Sequence, residues 1–244
     1  MSLFRAIVFT ALLVGIVVGA AVSTAQLFGT SPLILKGEIY QKAALTTKLL
    51  DSREDGSVLS VGHDHSLGHD HEEGGWEPAE GLERNAYTVL TNILVAIGYA
   101  LILTGAMALR GRLVTWREGL LWGLAGFTCV MLAPMLGLPP ELPGTPSAPL
   151  EARQLWWIAT AVSTATSLAL LAFVRTRWAA ALAALLIVAP HLIGAPSAPH
   201  GEHGLAPQNL QQQFVIAAAL TSLLFWGLLG SLSAAIFSKL ERMA

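Results

Sequence analysis

Four histidines and two aspartates recur within one short stretch, residues 63–73. The stretch reads His63-Asp64-His65-Ser66-Leu67-Gly68-His69-Asp70-His71-Glu72-Glu73, so the tripeptide His-Asp-His occurs twice. Neutral imidazole and carboxylate form a borderline ligand set that suits Co²⁺, Ni²⁺ or Zn²⁺ better than Mg²⁺ or Ca²⁺. The pattern predicts a metal-capture segment whose ligands are His63, Asp64, His65, His69, Asp70 and His71. The alternative is a solvated acidic linker that happens to contain histidine.

The remaining three histidines form a smaller group near the end of the chain, Pro190-His191 and His200-Gly201-Glu202-His203. His200 and His203 are candidate metal ligands or exposed loop residues. His191 closes an apolar run, where a buried imidazole must find a partner. It is a candidate metal ligand or a helix-end histidine bonded to a carbonyl.

Apolar segments must position these groups, because only 12% of the 244 residues are charged and 54% are hydrophobic. A membrane-spanning helix needs roughly 17–25 apolar residues. Six segments without Asp, Glu, Lys or Arg qualify, at about 6–28, 86–109, 119–138, 154–174, 178–194 and 212–237. The predicted fold is an all-α polytopic transmembrane bundle of about six spans. It would have five if the first segment is a cleaved signal peptide or if the short fifth segment is re-entrant.

The charged residues between these segments predict the orientation. One side carries eight lysines and arginines in short stretches, namely Arg5, Arg110, Arg112, Arg117, Arg175, Arg177, Lys239 and Arg242. The other side carries fourteen of the sixteen carboxylates, leaving Glu118 and Glu241 on the first side. The positive-inside rule makes the first side cytoplasmic, with both termini, and puts every histidine at or beyond the outer surface.

The first outer loop, about 29–85, is too long for a simple connection. Ser31 can cap a helix and Pro32 suits its first position, and apolar residues then recur at helical spacing. These features predict an interfacial amphipathic helix over about 32–50. Residues 51–75 are polar and glycine-rich without a period, which predicts a mobile segment. Because ordering such a segment costs free energy, its metal affinity should be modest and suited to capture and handover.

Polar groups inside the spans are neutral. Without a carboxylate in any span, the Asp/Glu relay usual in proton-coupled carriers is not expected. Stripes at helical spacing, Thr88, Thr91, Asn92 and Tyr99 in one span and Thr160, Ser163, Thr164 and Ser167 in another, suit helix–helix hydrogen bonds or a polar pathway. Cys129, Met131 and Met135 are core residues or soft ligands. Gly15-x-x-x-Gly19 and Gly119-x-x-x-Gly123 favour close helix contact, within the chain or between copies.

Several functional classes lack a signature. No lysine lies in a Gly-x-x-x-x-Gly-Lys-Ser/Thr context, and neither Gly-x-Ser-x-Gly nor His-Glu-x-x-His occurs. We therefore predict no enzyme, no nucleic-acid partner and no tightly bound cofactor. The expected partners are membrane lipid and a transition-metal ion, with any ATPase on a separate protein.

Several longer motifs carry a resemblance to a known family. They are Pro32-Leu33-Ile34-Leu35, the His-Asp-His loop, the run Trp76 to Arg84, the run Leu132 to Gly144, Arg153-Gln154-Leu155-Trp156-Trp157 and the run Pro190 to Pro196. Over nearly its whole length the chain resembles CbtA, the membrane subunit of a bacterial cobalt transporter. The resemblance implies cobalt for cobalamin synthesis, the bacterial inner membrane, and a small His-bearing partner subunit, CbtB. Family members are often described with five spans.

Two of these motifs have a physical interpretation. The prolines of Leu138-Pro139-Pro140-Glu141-Leu142-Pro143 stiffen the chain and would hold Glu141 on the outer rim, where metal must enter. The alternative is a rigid connector with an exposed acid. Arg153 followed by Trp156 and Trp157 resembles an interfacial anchor.

The sequence thus predicts a component of a cobalt or nickel importer that captures the ion through the outer loop and passes it across the membrane. The main alternative is a non-transporting module that binds or presents metal for a separate carrier. A scaffold with incidental histidines is a third hypothesis.

Overall fold

The computed structural model describes residues 2–54, 78–79, 81–111, 114–198 and 204–242. Within them the chain is helical and contains no strand. Seven helices follow one another: α1 Leu3–Phe28, α2 Ser31–Glu54, α3 Leu82–Leu109, α4 Trp116–Met135, α5 Leu150–Phe173, α6 Arg177–Ile193 and α7 Gln208–Arg242. A π-helical stretch, Thr128–Leu132, interrupts α4.

Five of these helices, α1, α3, α4, α5 and α7, are long and apolar enough to cross a membrane. They confirm the predicted polytopic helical bundle. The fifth predicted segment forms α6, whose 17 residues rise about 26 Å, slightly less than the roughly 30 Å hydrocarbon core. This helix is thus shorter than the five long helices, as predicted for the fifth segment.

The principal core lies where α1, α3, α4 and α7 meet. Gly15 and Gly19 of α1 face Ile97 and Ile93 of α3 so closely that a Cβ at Gly15 would lie 2.8 Å from the Ile97 backbone nitrogen. Gly119 and Gly123 make the same kind of contact with α7 at Gly230 and Trp226. Both small-residue pairs therefore bring helices of one chain together, as their spacing predicts.

The polar stripe of α3 also lies at helix interfaces. Asn92 donates hydrogen bonds to Ser23 (2.9 Å) and to Gln26 (2.6 Å) of α1. Tyr99 packs against Trp226 of α7, with ring centroids 4.8 Å apart. These contacts give the stripe a packing role.

Helices α5 and α6 form an antiparallel pair that joins the core through α4. The Ser167 hydroxyl of α5 donates to the Ala183 carbonyl of α6 at 3.0 Å, which joins the two helices in the half nearer their connection. Near the end of α7, Ser238 donates to the Val114 carbonyl at 2.6 Å and fixes the start of α4.

The helix predicted in the first outer loop is present as α2, but its start differs by one residue. The Thr30 carbonyl accepts from the backbone N–H groups of Leu33 and Ile34, so Ser31 lies inside the helix instead of capping it. Leu35, Ile39 and Leu45 are exposed. The N-terminal half of α2 packs on the segment that follows α4, with Gly37 against Leu142 and Pro143.

Candidate functional site

An open cavity of about 660 Å³ lies between the end of α4, the segment that follows it and the first two turns of α5. Its walls are mainly apolar, with one carboxylate, one guanidinium and two thioethers among them. The lining residues are Val130, Met131, Pro134, Met135, Leu138, Pro139, Pro140, Glu141, Leu150, Arg153, Gln154, Trp157 and Ile158. Met131, Met135 and Glu141, which the sequence offers as separate candidates, thus share one cavity.

The wall formed by α4 is irregular because of Pro134. The Ala133 N–H donates to the Thr128 carbonyl five residues back, which is the π-helical pattern. Pro134 has no N–H, so the Val130 carbonyl loses the donor that an α-helix would supply. Such π-helical stretches are frequent at functional sites. Both Val130 and Pro134 line the cavity.

The segment that carries Glu141 is held from two directions. The buried side chain of Leu142 packs in an apolar cluster with Leu210 and Phe214 of α7. Gln211 of α7 donates from Nε2 to the Pro140 carbonyl at 2.7 Å, and its Oε1 accepts from the Leu142 N–H at 3.1 Å. The backbone is therefore fixed immediately before and immediately after Glu141.

Glu141 and Arg153 are the two charged residues that line the cavity, and they form a pair. Oε2 of Glu141 lies 3.4 Å from Nη2 of Arg153, and both side chains are partly buried. Burial raises the pKa of the Glu141 carboxyl, whereas the Arg153 guanidinium lowers it, and the rise prevails. The ionised carboxylate is held in a partly desolvated place, where a cation at Glu141 would be favoured.

The comparison with known families decides the class. A family model described as "probable cobalt transporter subunit (CbtA)" matches residues 4–238, nearly the whole chain. This chain belongs to the CbtA family. The chain matches no curated protein and no solved structure. A CbtA-family chain with several apolar helices is a multi-pass membrane protein, and a subunit works with at least one partner in a transporter complex.

His191 of this CbtA chain belongs to α6 and packs against α5, outside the cavity lining. Its ring meets the edge of Trp156, with centroids 5.8 Å apart and planes at 72°. The Trp156 indole donates to the Pro190 carbonyl at 3.2 Å. Trp156 is buried, so the predicted interfacial anchor is wrong for this residue: the helix pair covers the indole and provides its hydrogen-bond acceptor. Trp157, in contrast, lines the cavity.

Eight of the ten predicted metal ligands lie outside the described residues: His63, Asp64, His65, His69, Asp70, His71, His200 and His203. Glu141 and His191 are described, and of the two only Glu141 lines the cavity. Within the described part of the chain, no three His, Cys, Asp or Glu side chains come together as a metal cage. Cys129 is buried and does not line the cavity.

Helices α2 and α3, which flank the His-rich segment in the sequence, are joined close to the segment of Glu141. Arg84 at the start of α3 donates to Glu38 of α2, with Nη2 2.6 Å from Oε1. Gly37, next to Glu38, contacts Leu142 and Pro143, the residues that follow Glu141. These contacts place Glu38 and Arg84 near the segment that carries Glu141; the His-rich segment itself lies outside the described residues.

Sequence reasoning missed two features of the site. Gln211 stands in the run Gln211-Gln212-Gln213 at the start of the last helix, and nothing in that run distinguishes one glutamine from the next. The pairing of Arg153 with Glu141 was also missed. The available signal was weak, because Arg153 has two acidic residues within reach along the chain, Glu141 and Glu151.

Proposed function

We propose that this chain is the membrane component of an importer for Co²⁺, with Ni²⁺ as the alternative ion. The His-Asp-His loop captures the ion outside, and the cavity at Glu141 receives it on its way into the bundle. The observation that carries the proposal is the carboxylate of Glu141, which lies in a cavity on a segment fixed by Gln211 and packed against α2.

The cavity contains both a hard oxygen donor and soft sulfur donors. Glu141 supplies an anionic oxygen, and Met131 and Met135 of α4 supply thioether sulfurs. Thioethers bind hard cations such as Mg²⁺ and Ca²⁺ poorly, whereas borderline ions accept sulfur, nitrogen and oxygen. Such a lining favours a transition metal over the more abundant divalent ions.

Arg153 competes with the metal ion for Glu141 and so allows the bound ion to be released. Without metal its guanidinium partly neutralises Glu141 at 3.4 Å, so the acid is not left as an isolated charge in an apolar wall. A divalent ion that reaches Glu141 must displace Arg153. The competition weakens binding, which suits a site that passes its ion onward.

The loop and the cavity would act in sequence. A segment that must be ordered to bind gives modest affinity and fast release. Helices α2 and α3 flank the loop in the sequence, and the Glu38–Arg84 pair and the Gly37 contacts join them near residues 142–143. This arrangement supports transfer of an ion released from the loop to Glu141.

The rest of the assembly follows from the family. A transporter subunit requires partners, and a small His-bearing CbtB-like protein is the proposed one. Because the chain has no phosphate-binding loop, any ATP-driven step belongs to another subunit. The proposed location is the bacterial inner membrane with both termini in the cytoplasm, in the supply of cobalt for cobalamin synthesis.

Uptake of Co²⁺ by vesicles tests the proposal. The chain is reconstituted alone and with its CbtB-like partner, and the metal trapped inside is measured. Uptake that needs this chain and falls in the Glu141→Gln variant supports an importer component. The matched control is Glu151→Gln, an exposed acid in the first turn of α5 that does not line the cavity.

A non-transporting metal-presenting module is the second candidate, favoured by the lack of a three-ligand cage among the described residues. It predicts metal bound to the chain with no uptake dependence on Glu141 in any reconstituted combination.

A further inference from the structure

The side chain of Gln211 reaches from the first turn of α7 to the segment that carries Glu141. Pro207 starts that turn, since its carbonyl accepts from the Leu210 N–H at 2.9 Å and from the Gln211 N–H at 3.2 Å. The base of the side chain is therefore fixed, and its amide has a defined direction.

The two hydrogen bonds of this amide use both of its functions. Its Nε2 donates to the Pro140 carbonyl at 2.7 Å, and its Oε1 accepts from the Leu142 N–H at 3.1 Å. No other neutral side chain of this length supplies a donor and an acceptor side by side. Glu141 lies between the two bonded peptide groups.

We propose that Gln211 is the positioning residue of Glu141: it holds the carboxylate in the cavity so that an entering divalent transition-metal ion meets it there. Its role rests on the proposed function of Glu141 and adds a specific residue to it. Prolines at 139, 140 and 143 restrict the dihedral angles of the segment, but they donate no hydrogen bond that fixes it to the bundle. The apolar contacts of Leu142 fix its depth without fixing the rotation of the segment, and Gln211 supplies that missing restraint.

A purely structural residue and a positioning residue differ in what they do to Glu141. A purely structural residue contributes stability, and its loss lowers the amount of folded protein. Loss of a positioning residue also moves the carboxyl out of the cavity and weakens the affinity for the ion. The test therefore reads the environment of Glu141 directly.

The experiment compares Gln211→Leu with Gln212→Leu in the full chain in membranes. Gln212 is the next residue along and is exposed, so it is a matched control. Dicyclohexylcarbodiimide, an apolar reagent for carboxyl groups in apolar surroundings, is applied, and labelling of Glu141 is quantified by mass spectrometry. In parallel the KM and Vmax for Co²⁺ uptake are measured at matched membrane levels.

We expect labelling of Glu141 to fall in Gln211→Leu, and Co²⁺ uptake to fall in the same direction as in Glu141→Gln, with a lower Vmax and a higher KM, by up to about tenfold, which is the scale of one or two lost hydrogen bonds. Gln212→Leu should match the wild type. Gln211→Glu keeps an acceptor for Leu142 and loses the donor to Pro140, so it should give intermediate labelling. The Gln211→Glu variant replaces Gln211→Leu in the comparison if Gln211→Leu does not accumulate in the membrane.

Equal labelling of Glu141 in the Gln211 variants and in the Gln212 control overturns the positioning role. A different result separates it from the proposed function. In that result labelling falls in Gln211→Leu, while Co²⁺ does not protect Glu141 of the wild type from labelling and Co²⁺ uptake does not depend on Glu141. The positioning role of Gln211 then stands and the entry role of Glu141 fails.

Discussion

Arg153 holds Glu141 at 3.4 Å in a cavity that is otherwise largely apolar. The pair makes Glu141 the residue whose replacement should be most informative. In Glu141→Gln the shape is kept and the charge is lost, so Co²⁺ uptake at saturating metal should fall by about tenfold, the value of one charge-assisted ligand. Uptake is measured at matched membrane levels with Glu151→Gln as control. Normal uptake at high metal would return Glu141 to the role of a rigid connector.

His191 contacts Trp156 and does not line the cavity that Glu141 lines, so its role in entry is tested separately. If it guards the entrance as the sequence suggests, His191→Ala lowers uptake at saturating metal as Glu141→Gln does. Trp156→Phe is the control, since it keeps a ring beside His191 and removes the 3.2 Å hydrogen bond to Pro190. A defect in Trp156→Phe equal to that of His191→Ala would indicate that both residues only hold α6 against α5.

The raised pKa of Glu141 predicts how stability depends on pH. The native carboxyl binds its proton more tightly than the unfolded one, whose pKa is about 4.3. The free energy of unfolding should therefore decrease as pH rises from about 4.3 toward the raised native pKa, and Arg153 should limit the decrease. Thermal unfolding in detergent across this range measures it. Glu141→Gln should flatten the profile, and an unchanged profile would show that Glu141 does not contribute.

Deletion of residues 63–71 should lower capture when metal is scarce and leave uptake largely intact when metal is plentiful. The captured ion needs neutral imidazole, so capture should also weaken as pH falls through about 6.5. Uptake is measured across Co²⁺ concentration at pH 7.5 and pH 5. A variant with the four loop histidines replaced by glutamine keeps the loop length and should match the deletion. Equal affinity at both pH values would mean that the carboxylates alone bind the ion.

Close contact between α1 and α3 predicts a packing defect. In Gly19→Val the new side chain would meet the Ile93 backbone, since even a Cβ would lie 2.6 Å from the Ile93 Cα. Overpacking of this kind costs about 1–3 kcal/mol, so folded protein in the membrane should decrease. Gly98→Ala is the matched control, because nothing lies within 4 Å of a Cβ there. Equal accumulation of the two variants would contradict the α1–α3 contact.

Orientation is tested with cysteines placed on the two predicted sides. In a Cys129→Ala background, Ser66→Cys should react with an impermeant maleimide in intact cells, and Arg175→Cys should react only after the membrane is opened. Arg175 is exposed and therefore accessible to the reagent on its own side. Reaction of both residues in intact cells would overturn the predicted topology.

The sequence by itself determined the helical class, the spans and the family. Crossing a bilayer requires long uncharged runs, and these are visible in a local window without knowledge of any contact. The glycine pairs at 15 and 19 and at 119 and 123 were also readable, because their spacing places them on one helix face. Two predictions for single residues were wrong, because α2 is capped at Thr30 and not at Ser31, and because Trp156 is buried and not an interfacial anchor.

Only the tertiary structure decided the candidate site. Gln211 bonds to Pro140 and Leu142 across about seventy residues of chain, and Met131, Glu141 and Arg153 meet because the end of α4 packs on α5. The sequence supplies each side chain and its local helix, but the contacts among them depend on how the connecting segments fold back. That geometry is set by the summed packing of the bundle, which no local pattern of residues contains.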